Sequence, residues 1–213
     1  MHKPTLLIVA SILLILMSGL ALEFWLKPPN ATPSTPDDPL VTLPDHPRHL
    51  IPFSLVDQRG QEVTQEAFYH KILVVSFLFT SCSIVCPYVT DQMAQIQRQT
   101  SGETAVRLLS LSVDPTDDTV PVLAQYASKA GADPERWSFL TGRTDSVLHL
   151  IETSFLAHDT NSSFSSMPGN FANSQQIVLV DTNGQIVKYF DGLNLDAAHA
   201  VVQEIKKLRK STP

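Results

Sequence analysis

The sequence predicts a single α/β domain built on a partly parallel sheet, with a membrane-spanning helix at the N-terminus. An almost continuous apolar run at 71–80, KILVVSFLFT, is rich in β-branched and aromatic residues, which is typical of a central strand buried on both faces. Strand and helix patterns alternate after this run, as they do in partly parallel α/β sheets. With 213 residues, 43% of them hydrophobic, the chain is long enough for one core of ordinary size.

The first predicted helix follows directly on the two cysteines of the chain, Cys82 and Cys86. Pro87 suits the first turn of a helix, where a backbone N–H is not needed. Apolar residues then recur three or four positions apart, which predicts an amphipathic helix, at Val89, Met93 and Ile96.

The remaining predicted elements complete the alternation of strands and helices. They are a strand at 105–113, a helix at 119–129, a short strand around Phe139, a helix at 144–155, and a hairpin of 176–180 with 185–190. A last helix buries apolar residues at helical spacing, namely Ala198, Val201, Val202, Ile205 and Leu208.

The first 47 residues have a composition that builds no core. Residues 1–26 contain an apolar run long enough to cross a bilayer once, so we expect a membrane anchor, with a secretory signal as the alternative. Residues 27–47 hold seven prolines among small polar residues and form a linker to a domain at 48–210. Positive charge at the N-terminus places the domain on the exported, oxidising side of the membrane. The net charge of -6 argues against nucleic acid as a partner.

Cys82 and Cys86 are the candidate functional residues, because thiolates at a helix start support two chemistries. If the segment between them is helical, four residues advance about 6 Å, within the Cα separation of about 4.4–6.8 Å that a disulfide tolerates. The same thiolates are soft ligands suited to Cu(I). An inert disulfide is the structural alternative, and a zinc site would be two ligands short.

The segment 77–87, FLFTSCSIVCP, resembles the signature of the SCO/SenC family. Three other segments are similar to that family in order and spacing: IPFSLVDQRGQEVT at 51–64, SLSVDPTDDT at 110–119 and WSFLTG at 137–142. Together they cover residues 50–208. The resemblance implies a thioredoxin-like fold, a copper site made by both motif cysteines and a distant histidine, and a role in maturing the copper centre of cytochrome c oxidase.

One ligand departs from the family pattern. The family histidine stands a few residues before the strand at 176–180, and FANSQQIVLVD places Asn173 there. An amide is a poor copper ligand, so this change weakens Cu(II) binding more than Cu(I) binding. His158 is the nearest substitute, while Met167 is expected to pack, and Asp114 is expected to cap a turn or to lie near the thiols.

Two functions therefore follow from the sequence. The first is a copper-binding protein that passes Cu(I), the preferred state, from Cys82 and Cys86 to the copper-bearing oxidase subunit or to another copper or thiol protein. The second is a thiol-disulfide oxidoreductase with weak or absent copper binding, in which one cysteine attacks a partner disulfide and the other resolves it. The sequence leaves the order of the cysteines open, and Cys82 is preferred as the attacking thiol because it is nearer the strand end and expected to be more exposed. A peroxidase and a non-catalytic copper or redox sensor remain as further alternatives.

Overall fold

The computed structural model describes residues 48–155 and 175–211 of the chain. The chain divides into two units, residues 1–38 and 39–213, and only the second contains described residues. The predicted anchor at 1–26 and the linker at 27–47 lie outside them. Within the described part of the chain, no helix has the length and apolar character needed to cross a membrane.

A five-stranded mixed sheet forms the centre of the domain. Its strands are β3 (Ile72–Leu78), β4 (Val106–Ser112), β5 (Trp137–Leu140), β6 (Gln176–Val180) and β7 (Ile186–Asp191), and β1 (Ser54–Val56) and β2 (Glu62–Thr64) form a separate hairpin. The order across the sheet is β5-β4-β3-β6-β7. Neighbours β3, β4 and β5 run parallel, whereas β6 is antiparallel to both β3 and β7. The predicted partly parallel sheet with β3 at its centre is confirmed.

Helices cover both faces of the sheet. They are α1 (Val85–Gln99), α2 (Val120–Lys129), α3 (Thr144–Leu150) and α4 (Ala197–Ser211). Alternate residues of β3 point to opposite faces: Val74 packs with residues of α1, α2 and α4, and Val75 packs with α3 and the N-terminal hairpin. All seven residues of β3 are buried, which explains why its sequence is a continuous apolar run.

The helix predicted at 144–155 is shorter than expected. It is α-helical only to Leu150, and Ile151–Phe155 widen into one π-helical turn. Tertiary hydrogen bonds hold this turn: the Ile51 backbone N–H donates to Ser154 Oγ at 3.1 Å, and the Tyr189 hydroxyl donates to the Phe155 carbonyl at 3.0 Å. Helical spacing alone could not reveal these partners, since they come from distant parts of the chain.

The edge of the sheet at β5 is closed by a side chain. Gln58 is buried, and its amide nitrogen donates to the Trp137 carbonyl at 3.0 Å while its oxygen accepts from the Phe139 N–H at 2.8 Å. These bonds satisfy backbone groups that an edge strand otherwise presents to other chains. Trp137 and Phe139 are fully buried core residues.

Candidate dithiol site

The cysteines lie in the loop that joins the central strand to the first helix. β3 ends at Leu78, α1 begins at Val85, and Cys82 and Cys86 are both in the thiol form. Cys86 is completely buried and Cys82 is half-buried, so Cys82 is the more accessible thiol, as the sequence predicted.

The helical spacing considered for the two cysteines does not apply, because Cys82 precedes the helix. The Cys82 N–H donates to the Phe79 carbonyl at 3.0 Å in a turn, and Ile84 is the N-cap of α1. Pro87 explains where the helix starts. A helix beginning at Cys82 would need the missing N–H of Pro87 and would clash with the Ser83 carbonyl, whereas the third position of a helix needs no such donor.

Backbone groups of the first helical turn converge on the sulfur of Cys82. The Cys86 N–H donates to Cys82 Sγ at 3.2 Å, and Ile84 offers no side-chain cap. The sulfur therefore takes the place of the oxygen that usually caps a helix N-terminus. A negative sulfur is favoured at this position because the helix dipole is positive there.

The pKa of Cys82 lies below its ordinary value. Burial acts in the opposite direction and is the largest single influence, but it is outweighed by the sum of the hydrogen bonds to the sulfur, of which those from the Cys86 side chain and the Cys86 backbone N–H are the largest. The N–H groups of Ile84 and Val85 lower the pKa further. Cys82 is thus a thiol with enhanced thiolate character, which is the form that binds metals and attacks disulfides.

A buried carboxylate that sequence reasoning missed supports the same loop. Asp118, in the turn between β4 and α2, accepts hydrogen bonds on Oδ1 from the Thr80 N–H at 2.9 Å and the Thr80 hydroxyl at 2.6 Å. Its Oδ2 accepts from the Ser112 hydroxyl at 2.6 Å. In the sequence Asp118 stands just before a helix, which is typical of a capping residue, so only the tertiary structure reveals Thr80 as its partner.

Asp114, which the sequence singled out, forms the turn through its backbone. Its carbonyl accepts from the Asp117 N–H at 3.2 Å and the Asp118 N–H at 2.9 Å, while its own N–H donates to Ser112 Oγ. Of the two roles predicted for Asp114, this arrangement corresponds to the turn.

Tyr126 of α2 is near enough to the thiols for their charge to affect its hydroxyl. Its hydroxyl hydrogen-bonds the Thr90 hydroxyl of α1 at 2.9 Å, and its ring packs edge-on against Phe139. Burial raises the pKa of Tyr126, the Thr90 hydrogen bond opposes this, and negative charge on Cys86 and Cys82 adds to the rise. The phenol therefore stays protonated beside the thiols and presents no competing anion.

Gly192 allows the chain that follows β7 to approach α1 closely. Its N–H donates to the Gln175 carbonyl at 2.7 Å. A Cβ at this position would lie 2.8 Å from the Gln175 oxygen and 3.0 Å from a methyl of Val89. Val89 is one helical turn after Cys86, so the segment entering β6 is packed beside the cysteine-bearing turn.

The donor set of the described site consists of the two sulfurs. Among residues 48–155 and 175–211, no three His, Cys, Asp or Glu side chains are grouped as metal ligands. The histidines of this part are exposed: His49, His70, His149 and His199. Asn173, His158 and Met167 lie outside the described residues. Two thiolates alone suit Cu(I), which accepts soft ligands, and they can also form a reversible disulfide.

The fold and the site together define a thioredoxin-like protein with a dithiol between the central strand and the first helix. The model of the SCO1/SenC family matches residues 42–210, and the chain belongs to this family. The family and the thioredoxin-like fold of the domain, predicted from the cysteine motif and its flanking segments, are thereby confirmed.

Several known relatives are similar to this chain. The SCO1 protein homolog of Bacillus subtilis (strain 168) is 25% identical over 162 residues, which cover 73% of this chain and 80% of that protein. The mitochondrial SCO2 homolog of Mus musculus is 25% identical over 158 residues, which cover 73% of this chain and 60% of that protein.

Solved structures show the same fold. A SCO1/SenC family lipoprotein from Bacillus anthracis has a TM-score of 0.64 and 25% identity, with 78% of this chain and 99% of that chain covered. Yeast Sco1 with copper bound has a TM-score of 0.62 and 24% identity, with 79% and 96% covered.

Proposed function

We propose that this protein is a membrane-tethered copper-binding protein that holds Cu(I) through Cys82 and Cys86 and assists assembly of the copper centre of cytochrome c oxidase. The observation that carries this proposal is the paired thiol site, in which an accessible sulfur of lowered pKa is followed by a buried one. Thiolates are the ligands that Cu(I) prefers, and an accessible ligand allows a partner to take over the metal.

The names of related proteins support copper and the oxidase as cargo and client. Copper is present in the structure of yeast Sco1, and a second related structure is described as a member of the Sco family of cytochrome c oxidase assembly proteins with a disulfide switch. The copper-bearing oxidase subunit, or another copper or thiol protein, is the proposed partner.

The N-terminal sequence supports a tether. The apolar run within residues 1–26 has the length of a single bilayer crossing, and the linker at 27–47 would hold the domain clear of the surface. The domain then lies on the exported side of the membrane, close to the bilayer surface.

Asn173 sets the expected preference between copper oxidation states. Cu(I) is held by two thiolates alone, whereas Cu(II) gains from an imidazole ligand that an amide does not replace. We therefore propose Cu(I) as the physiological cargo, with Cu(II) binding weaker than in a variant that carries histidine at this position. His158 is the only substitute proposed, and its replacement by alanine tests that role.

A Cu(I) titration tests the proposal directly. The reduced full-length protein, kept in mild detergent, competes with a chromogenic Cu(I) chelator, alongside Cys82→Ser, Cys86→Ser and Asn173→His variants. We expect one Cu(I) per parent chain, loss of tight binding in both serine variants, and a selective gain of Cu(II) binding in Asn173→His. Ser83→Ala, an exposed change in the same loop, serves as the control and should match the parent. Equal Cu(I) retention by Cys82→Ser and the parent would contradict the proposal.

A thiol-disulfide oxidoreductase is the second candidate, and the unequal exposure of the cysteines favours it specifically. The Cys82 thiolate attacks a partner disulfide, one partner sulfur leaves as a thiolate, and the Cys86 thiolate then displaces the second partner sulfur to form the Cys82–Cys86 disulfide. In this reaction the protein is oxidised by two electrons and the partner is reduced by two. This candidate would be favoured over the first if the parent protein reduced a disulfide substrate rapidly and did not bind Cu(I) in the titration.

A further inference from the structure

Asp118 is a buried acidic side chain whose partners lie in the cysteine loop and at the neighbouring strand end. Its relative exposure is 1%, and among the described residues it takes part in no ion pair. Burying a carboxylate is costly unless hydrogen bonds compensate for the lost water. Here three donors serve its two oxygens, two of them from Thr80 and one from Ser112.

The hydrogen bonds between Asp118 and Thr80 lie just beyond the last backbone hydrogen bond between β3 and β4. Strands β3 and β4 are paired up to Leu78 and Ser112, and the Val113 N–H donates to the Leu78 carbonyl at 2.8 Å as the last rung. Beyond that rung, the Thr80 N–H is taken up by the Asp118 carboxylate instead of a β4 carbonyl. Asp118 thus extends the connection between the strands into the cysteine loop.

Thr80 stands two residues before Cys82, so the residue that Asp118 holds is close to the accessible sulfur. The turn that follows is closed by the Cys82 N–H and the Phe79 carbonyl, and Cys82 Sγ in turn meets the Cys86 N–H at 3.2 Å. A chain of short contacts therefore runs from Asp118 through Thr80 to Cys82 and α1.

We infer that Asp118 is a positioning residue: by holding Thr80 it fixes Cys82 against the start of α1, and thereby sets the Cu(I) affinity and the dithiol–disulfide equilibrium of the site. Asp118 acts through Thr80, because its side-chain hydrogen bonds go to Thr80 and Ser112 and not to a sulfur. The inference rests on the proposed function for its copper consequence, whereas its redox consequence depends only on the two thiols.

The direction of the redox effect follows from what holds the loop in each state. In the dithiol state the loop depends on Asp118, while a Cys82–Cys86 disulfide constrains the loop covalently. Loss of the carboxylate therefore destabilises the dithiol more than the disulfide. The equilibrium with a small disulfide reagent should shift toward the protein disulfide, with two protons and two electrons passing from the protein thiols to the reagent.

The test compares four variants of the full chain in mild detergent: Asp118→Ala, Asp118→Asn, Thr80→Val and Ser110→Ala. Cu(I) affinity is measured against a chelator, and the dithiol–disulfide equilibrium is measured against 2-hydroxyethyl disulfide. Asp118→Ala should lose about 10–100-fold in Cu(I) affinity, the range typical of residues that orient metal ligands. Asp118→Asn keeps an oxygen acceptor for Thr80 and should restore most of the affinity.

Ser110→Ala separates positioning from general destabilisation. Ser110 is as buried as Asp118 and hydrogen-bonds Ser76 Oγ at 2.8 Å and Trp137 Nε1 at 2.9 Å, inside the sheet rather than in the loop. This variant should lower the urea midpoint while leaving Cu(I) affinity and the redox equilibrium at the parent values.

Two results would overturn the inference. One is an Asp118→Ala protein that unfolds at lower urea yet keeps the parent Cu(I) affinity and redox equilibrium. If that variant does not fold, Thr80→Val decides, because it removes the 2.6 Å hydroxyl bond and should shift both quantities in the same direction by less. Parent values for Thr80→Val would then reject the inference. A parent protein without Cu(I) binding would contradict the proposed function instead, and the redox equilibrium would still test Asp118.

Discussion

Cys82 and Cys86 share one loop but differ in both exposure and hydrogen bonding. Cys82 is half-buried and its sulfur accepts from the Cys86 N–H, whereas Cys86 is completely buried and packs in the core with Met93 and Val89. Among thiols, reactivity follows thiolate character and access together. The two cysteines are therefore suited to different steps, with Cys82 meeting the partner first.

Alkylation should distinguish them. We expect iodoacetamide to modify Cys82 well before Cys86, with a pH midpoint below that of a cysteine in an unfolded peptide, because the pKa of Cys82 is lowered. Peptide mapping by mass spectrometry over a pH series measures both. In Cys86→Ala the midpoint should move upward, since the Cys86 side chain no longer donates to Cys82. A midpoint unchanged in that variant would contradict the assigned cause.

The same lowered pKa has a consequence for stability. A thiol whose pKa is lower in the folded state binds fewer protons there than in the unfolded state. Its contribution to the free energy of unfolding is therefore fully present above the unfolded pKa and is lost as the pH falls through the folded pKa. The Cys82→Ser variant should lack this part of the pH dependence.

At the scale of elements, α1 is fixed at both of its ends. Its N-terminus receives the Cys82 sulfur, and its C-terminus is bound by Arg136, whose guanidinium donates to the Gln97 carbonyl at 3.0 Å and the Thr100 carbonyl at 2.6 Å. A cation at this end also suits the negative end of the helix dipole. Gly192 adds a third constraint by letting the chain after β7 pack against Val89.

Gly192→Ala should weaken this packing. The added methyl group meets the Gln175 carbonyl oxygen at 2.8 Å, a distance that real Cβ atoms essentially never show, and Val89 at 3.0 Å, which is tighter than most Cβ contacts. Overpacking of this kind costs about 1–3 kcal/mol of the free energy of unfolding. Urea unfolding of the reduced protein measures the loss. Gly102→Ala is the matched control, because nothing lies within 4 Å of its Cβ. Equal urea midpoints for Gly192→Ala and Gly102→Ala would contradict the prediction, because they would show that the structure accommodates the added methyl group without loss of stability.

At the scale of the whole molecule, a sheet covered on both faces presents one loop of the central strand for chemistry. The carboxyl ends of the parallel strands β3, β4 and β5 meet at one edge, which is where crevices form in open α/β sheets. The cysteine loop follows β3 and the Asp118 turn follows β4, so the topology itself brings them together. A ligand that binds at this edge therefore binds only the folded domain, because the segments that form the site come together only on folding.

Cu(I) should therefore stabilise the entire domain. A ligand that binds only the folded state at about 1,000 times its Kd adds about 4 kcal/mol to the free energy of unfolding. For a domain of this size that corresponds to a rise in Tm on the order of 10 °C. Thermal unfolding of the reduced protein with and without one equivalent of Cu(I) measures it, and Cys82→Ser should show no rise. A similar rise in Cys82→Ser would assign the stabilisation to another site.

The amino-acid sequence by itself determined the strands, the helices and the cysteine motif. Val74 and Val75 lie in a continuous apolar run because β3 is buried on both faces. Such a run can be recognised from the sequence alone. Pro87 likewise marks the first turn of α1. These features are local, since they depend on side chains within a few residues of one another.

Only the tertiary structure decided what surrounds the sulfurs. The partnership of Asp118 with Thr80 joins residues 38 positions apart, and the contact of Gly192 with Val89 depends on two elements meeting in space. The sequence predicted the motif and a helix after it but left open whether the segment between the cysteines is helical, and the structure places Cys82 ahead of the helix, where its sulfur caps α1. Hydrogen bonds and contacts between distant segments leave no periodic pattern in a sequence. For this physical reason only the tertiary structure shows that Asp118 and Gly192 act on the cysteine loop and α1.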